Sequence, residues 1–223
     1  MTGAALARLL QLASPMLPVG AYSYSQGIEP AVDARIVFDA PSAEAWIGDV
    51  LDLSIGGFEA PVLLRLLAAW ERDDREGVRH WNELFIASRE SAELRAETLQ
   101  MGYSLRRLLQ DLPVEGAGQL DAFEEICWPA AFAFAAHAWG IPAAEALAAY
   151  AFGWCENQVA AALKAVPLGQ TDGQRVLMRV AARIPAIVEA AGALRDEDLR
   201  NSTPGLALLS SLHETQYSRI FRS

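Results

Sequence analysis

Three stretches carry residue types that could do chemistry, and none has the spacing that chemistry requires. Gly169-Gln-Thr-Asp-Gly173-Gln resembles a phosphate-cradling loop. Three residues lie between its glycines where a P-loop has four, and no Lys-Ser/Thr pair follows. His213-Glu-Thr-Gln-Tyr217 begins like a zinc-binding His-Glu-x-x-His helix, but Tyr217 stands where the second ligand must be. Ser23 and Ser25 lack the flanking glycines of a nucleophile elbow. His80 and His137 are too far from His213 along the chain to suggest a cluster, and His137, within an apolar run, is expected as a hydrogen-bonded core residue. Cys127 and Cys155 each fall inside an apolar helical pattern and are expected as buried free thiols. The expectation is no catalytic residue, no cofactor, no metal ligand and no enzymatic activity.

What remains are polar clusters suited to recognition. Ser14-Pro-Met-Leu-Pro-Val-Gly-Ala-Tyr-Ser-Tyr-Ser-Gln-Gly-Ile-Glu29 packs two prolines, two glycines, three serines and two tyrosines into sixteen residues. Pro15 and Pro18 fix φ and disfavour helix before them, while Gly20 and Gly27 open backbone angles closed to other residues. Such a segment is held in one irregular shape, offering hydroxyls, an amide and a carboxylate. A second cluster is Glu156-Asn157-Gln158 with Lys164, a third is Pro167 to Arg175, and the fourth is the ending Glu214 to Ser223. Buried polar groups need partners, so Glu156 to Gln158 either tie helices together or line a wet channel. Lys164 is the single lysine beside seventeen arginines, which suggests a position that wants a compact point charge rather than a planar fork. The ending carries +1, from one glutamate and two arginines, against −11 for the remainder. Its Tyr217, Arg219, Phe221 and Arg222 have the composition of a binding surface, and a terminus of this kind is expected to be flexible.

The elements that must position these clusters are helices; no alternating strand or hairpin pattern appears. A first helix is predicted over Ala4–Ala13. Asp39-Ala-Pro-Ser42 starts another through about Ile55, interrupted by Gly56-Gly57 and followed by one carrying Val62, Leu66 and Trp70. The longest pattern runs from Arg79 to about Leu112, with a stripe through Ala87, Ser91, Leu94, Thr98, Met101, Leu105, Leu108 and Leu112, and with Arg89 and Glu93 at i,i+4 spacing on another face beside Glu97. Leu120 to Trp139 is apolar on nearly every side and so central. Pro142 opens an alanine-rich helix to Ala165; further helices are predicted over Arg175 to Arg183 and, capped by Thr203-Pro204, over Gly205 to His213.

At 223 residues, 52% hydrophobic and 21% charged, the chain suits one globular domain spanning 1–223. A net charge of −10 and a pI near 4.8 argue against nucleic acid. The uncharged run Trp128 to Ala144 is too short and too broken by Pro129, His137 and Gly140-Ile-Pro142 to span a membrane, and the N-terminus lacks a signal peptide's pattern. A cytoplasmic location is expected.

The irregular stretch Ser14 to Glu29 resembles the signature Ser-Pro-x-Leu-Pro-Val-Gly-x-Phe/Tyr-Ser-Tyr-Ser-x-Gly-Leu-Glu of the urease accessory protein UreF family, with Ile28 for leucine. Arg89-Glu-Ser-Ala-Glu-Leu-Arg-Ala-Glu97, Met101-Gly102, Pro167-Leu-Gly-Gln-Thr-x-Gly-Gln-Arg175 and His213-Glu-Thr-Gln-Tyr-Ser-Arg-x-Phe-Arg-Ser223 follow the family's pattern in order. The resemblance implies an all-α, single-domain bundle of about eight to ten helices with an irregular N-terminal segment and a flexible C-terminal tail, acting as a homodimer. It implies a scaffold without a reaction of its own, which binds UreD (also called UreH) and recruits the GTPase UreG to urease apoprotein for nickel insertion. By the same resemblance Glu29 and Lys164 are expected at the GTPase interaction. Tyr24, Arg219 and Arg222 are expected in complex formation, with Pro18, Gly20, Ser25, Gly27, Gln170, Tyr217 and Phe221 beside them as partner-binding residues. Two alternatives stay open: a GTPase-activating regulator of UreG, since an arginine supplied in trans can accelerate phosphoryl transfer by ~10³–10⁵-fold, and a component of a nickel-conducting channel.

Overall fold

The computed structural model describes all 223 residues and contains helices and connections but no strand. Eleven α-helices follow in order: α1 Gly3–Ala13, α2 Ile28–Asp33, α3 Ala40–Val50, α4 Ala60–Glu71, α5 Arg75–Ala87, α6 Ala92–Asp111, α7 Trp128–Ala138, α8 Ala143–Ala165, α9 Gln170–Ala181, α10 Ile184–Ala193 and α11 Pro204–His213. The all-α class is as expected. No helix is long and apolar enough to cross a membrane.

Local signals account for most helix ends. Asp39 and Ser42 form a reciprocal capping box at the start of α3, the Asp39 carboxylate accepting the Ser42 N–H at 2.9 Å and the Ser42 hydroxyl accepting the Asp39 N–H at 3.0 Å. The expected break at Gly56-Gly57 is absent. Leu51–Glu59 instead winds as π-helix, joining α3 and α4 into one rod and leaving ten separate rods. The wider turn leaves Ser54, Ile55 and Glu59 facing the interior, and π-helical turns often sit beside functional cavities.

The pattern from Arg79 to Leu112 is two helices, not one. Ser91, placed in the apolar stripe by its spacing, is the N-cap of α6, and its hydroxyl accepts the Leu94 N–H at 3.1 Å. Arg89 therefore lies before α6 and pairs with Glu59 at 2.7 Å rather than with Glu93. Beyond the cap the stripe holds through Leu94, Thr98, Met101 and Leu105, then passes to Leu109, because a 3.6-residue turn drifts against strict three-four spacing. The apolar run from Leu120 becomes helical only at Trp128; a 3-10 turn over Ala117–Ala122 and an extended piece precede it. Gly102 permits that extended piece to cross α6: a Cβ there would lie 2.0 Å from the Ile126 carbonyl oxygen.

As its composition requires, α7 is central. Pro129 to Ala136 are all buried, and the helix lies between α4 and α6. Burying Phe132 and Phe134 contributes about 2–3 kcal/mol each. On the other side α8 packs against α1, α2 and α9, with α10 bridging α4 and α8. One contiguous core of 57 buried residues runs from Ala5 to Phe221, so the tail reaches it. Cys127 and Cys155 are buried free thiols, both pushed up to about 12 by burial.

Four expectations are corrected. His137 is exposed at the end of α7, and the buried histidine is His213. The Thr203 hydroxyl caps nothing, although Pro204 does open α11. The irregular stretch after Pro167 is short, because α9 already begins at Gln170. The tail, expected as a loose end, is seated: Phe221 and Ser223 are buried, and its backbone bonds to the N-terminal segment.

Candidate functional site

The C-terminal tail meets the irregular N-terminal segment at Glu29. Gly27, at φ 89°, turns the irregular segment into α2 and sets Glu29 in its first turn. A Cβ at Gly27 would meet Leu206 Cδ1 at 2.5 Å, so this left-handed glycine also admits α11 close to the segment. Glu29 is buried, and the tail binds it through backbone: Oε1 accepts the Ile220 N–H at 2.7 Å and Oε2 the Phe221 N–H at 2.8 Å. Hydrogen bonds to an ionised acceptor are worth about 1.5–3 kcal/mol each, so this carboxylate is the principal polar anchor of the tail.

Behind Glu29 stands His213, at the end of α11 and fully buried. Its Nε2 lies 3.3 Å from Glu29 Oε2 and its Nδ1 2.6 Å from Glu93 Oε2, so both ring nitrogens are spent on carboxylates. Glu93 also receives the Arg219 guanidinium on Oε1 at 2.7 Å. Glu29, His213, Glu93 and Arg219 thus form one chain of contacts from the N-terminal segment through α11 and α6 to the tail.

Around this knot the remaining tail contacts close. The Arg222 N–H donates to the Ser23 carbonyl at 2.8 Å, and the Ser25 N–H and hydroxyl both donate to the Ser223 carbonyl. Lys164, exposed near the end of α8, holds its ammonium 5.2 Å from the centre of the Phe221 ring, within cation–π range. Tyr24 is buried; burial and the nearby Glu97 charge raise its hydroxyl, and hydrogen bonding from the Arg222 guanidinium partly opposes them. Its carbonyl accepts the Asn157 amide at 3.0 Å.

Of the residues singled out from sequence, Tyr24, Ser25, Gly27, Glu29, Lys164, Arg219, Phe221 and Arg222 come together here. Pro18 and Gly20 lie outside the knot, Pro18 exposed and Gly20 at φ 82° before a 3-10 turn. Gln170 is exposed at the start of α9, and Tyr217 is wholly exposed on the tail. The cluster Glu156-Asn157-Gln158 divides by residue: Asn157 ties α8 to the N-terminal segment, Glu156 lines a cleft, and Gln158 is fully buried with neither side-chain atom partnered. Sequence reasoning missed His213, Glu93, Glu97 and Gln26 as site residues. The signal at His213 was a lone imidazole closing an apolar helix; its partners lie 120 and 184 positions away and no spacing rule reaches them.

Beside the knot is a cleft of about 170 Å³ between the N-terminal segment, α6 and α8. Its wall includes Glu59, Glu97, Glu156, Arg89 and the unpartnered Thr203 hydroxyl. Arg89 and Glu59 are mostly buried together, and the Tyr150 hydroxyl donates to Glu59 at 2.6 Å. Burial raises the carboxyls of Glu156 and Glu90, and pushes Glu97 up to about 7.

A helical bundle whose polar side chains gather where its own termini meet, with an exposed tail face above them, has the form of a protein that presents a shaped surface. Comparison with known proteins gives the family. Residues 37–181 match the family model described as UreF. The chain is 56% identical to the urease accessory protein UreF of Azoarcus sp. (strain BH72), over 98% of this chain and 95% of that protein. It is 52% identical to that of Methylobacillus flagellatus, over 98% and 97%, and 50% identical to that of Janthinobacterium sp. (strain Marseille), over the whole of both. The chain belongs to the UreF family of urease accessory proteins.

Proposed function

We propose that this chain is a non-catalytic scaffold of urease maturation. It captures UreD through the seated tail and recruits the GTPase UreG to urease apoprotein for nickel insertion. One observation carries the reading: the tail is held by its backbone. Glu29 grips Ile220 and Phe221 through their N–H groups, which leaves the Tyr217 and Ile220 side chains exposed, with Leu208 and Leu212 of α11 also exposed. An apolar and aromatic surface on a pre-ordered strap suits capture of another protein, because much of the entropy cost of ordering has already been met within the chain. Lys164, exposed beside Phe221, is the part of this surface assigned to the GTPase.

The test is co-purification of UreD with Tyr217→Ala plus Ile220→Ala, whose side chains support nothing inside the fold. Retention near the unsubstituted level contradicts the scaffold reading. Measuring GTP hydrolysis by UreG with and without the chain, nickel and UreD present, separates scaffold from activator, since an activator raises the rate and a scaffold does not. A second reading, passage of nickel as cargo, is favoured by the cleft, where Glu59, Glu97 and Glu156 outnumber Arg89. Glu156→Gln that lowers nickel delivery to urease without weakening UreD capture would support it.

A further inference from the structure

Glu97 does not belong to the Glu29 knot, yet it is buried on α6 with both oxygens occupied. Oε1 accepts from the Gln26 amide, whose own oxygen accepts the Trp154 indole N–H; Oε2 accepts the Ser223 hydroxyl at 3.0 Å. Glu97, Gln26 and Trp154 all line the cleft, whereas Ser223 is the buried last contact of the tail. Of the residues hydrogen-bonded to the tail, Glu97 alone also lines the cleft.

We propose that Glu97 is a positioning residue that couples the seating of the tail to the cleft, so that gain or loss of its proton moves both together. The titratable and charged groups facing it are Tyr24 of the N-terminal segment, Glu59 at the end of the π-helical turns and Arg89 ahead of α6. The tail reaches it through Ser223, and Arg222 stands behind Tyr24. Glu59 disfavours its charge; Arg89, Gln26 and Ser223 favour it. Burial outweighs all of them and carries the carboxyl from 4.5 to about 7.

The sign follows from linkage. A released tail opens Glu97 to water and returns it toward its ordinary value, so the seated state binds more proton between about 4.5 and 7. Seating is therefore fullest at the acid side of that window and weakens as pH rises through it, reaching its weakest above about 7. The linkage is a property of the free chain. It needs no partner, so its failure leaves the scaffold reading standing, and the reverse also holds.

Hydrogen exchange at the Ile220, Phe221 and Arg222 amides, corrected for intrinsic rate, reads the tail; Trp154 fluorescence, isolated by subtracting a Trp154→Phe spectrum, reads the cleft. Between pH 5 and 8 the tail-opening equilibrium is expected to rise by between about tenfold and about 300-fold, with Trp154 emission changing at the same midpoint. Glu97→Gln, which keeps shape and removes the proton, should flatten both profiles. Ser223→Ala, which removes one contact that favours the charged carboxyl and leaves the core intact, should keep the tail and Trp154 titrating together, with a midpoint no lower than in the unsubstituted chain. A tail profile independent of pH in the unsubstituted chain, an unaltered profile in Glu97→Gln, or a flat tail profile in Ser223→Ala overturns the proposal.

Discussion

Glu29 behaves as an anchor facing inward. Its two oxygens serve Ile220, Phe221 and His213, leaving none to reach outward to a partner. Glu29→Ala removes the acceptor for two tail amides and one carboxylate from His213, and should cost about 2–4 kcal/mol in chemical denaturation while releasing the tail to exchange. Unchanged tail exchange in that variant would contradict the anchor role. Gly27→Ala combines a positive φ with a Cβ 2.5 Å from Leu206, and should destabilise by about 1–3 kcal/mol in the same assay. The residues that form the anchor were only half legible in sequence. Glu29 and Arg219 stood out by the company they keep, whereas Glu93 read as one more solvated charge on α6, and His213 as a failed zinc motif.

At the scale of elements, caps and apolar faces made α1, α3, α8 and α11 legible within a few residues. The errors have physical sources. Ser91 satisfies a helical stripe and an N-cap equally well, and only its bond to Leu94 and its 2.6 Å contact with the Ser210 hydroxyl of α11 decide for the cap. Gly56-Gly57 suggested a break because glycine disfavours helix. Packing of the π-helical turns against α10 and α4 overrides that preference. Ser91→Ala loses the cap and strands the buried Ser210 hydroxyl, with an expected cost of about 1–3 kcal/mol measured by urea unfolding. Gly102→Ala is expected to be worse, above roughly 3 kcal/mol, because the 2.0 Å overlap is with backbone at Ile126 and no side chain can turn aside. A Gly102→Ala chain with unchanged midpoint would mean that the crossing of α6 is looser than its geometry states.

The molecule as a whole closes its own ends together: the N-terminal segment, α6, α8 and α11 supply one seat, and the last residues fill it. Composition foretold a helical, acidic, well-packed chain, and family resemblance pointed to the N-terminal segment and the tail, which the fold brings together. That the tail is seated could not be read from its length or charge, because the burial of Phe221 depends on Lys164 and Glu29, more than fifty residues away in the chain. The expected homodimer should appear by light scattering as twice the 24.1 kDa chain mass. The central proposal, that the seated tail presents the docking surface for UreD, is tested most directly by co-purifying UreD with a chain lacking Glu214–Ser223. The predicted result is loss of UreD with helicity retained and stability lowered by about 2–3 kcal/mol from the missing Phe221. A folded, shortened chain that still brings down UreD in full amount would contradict it.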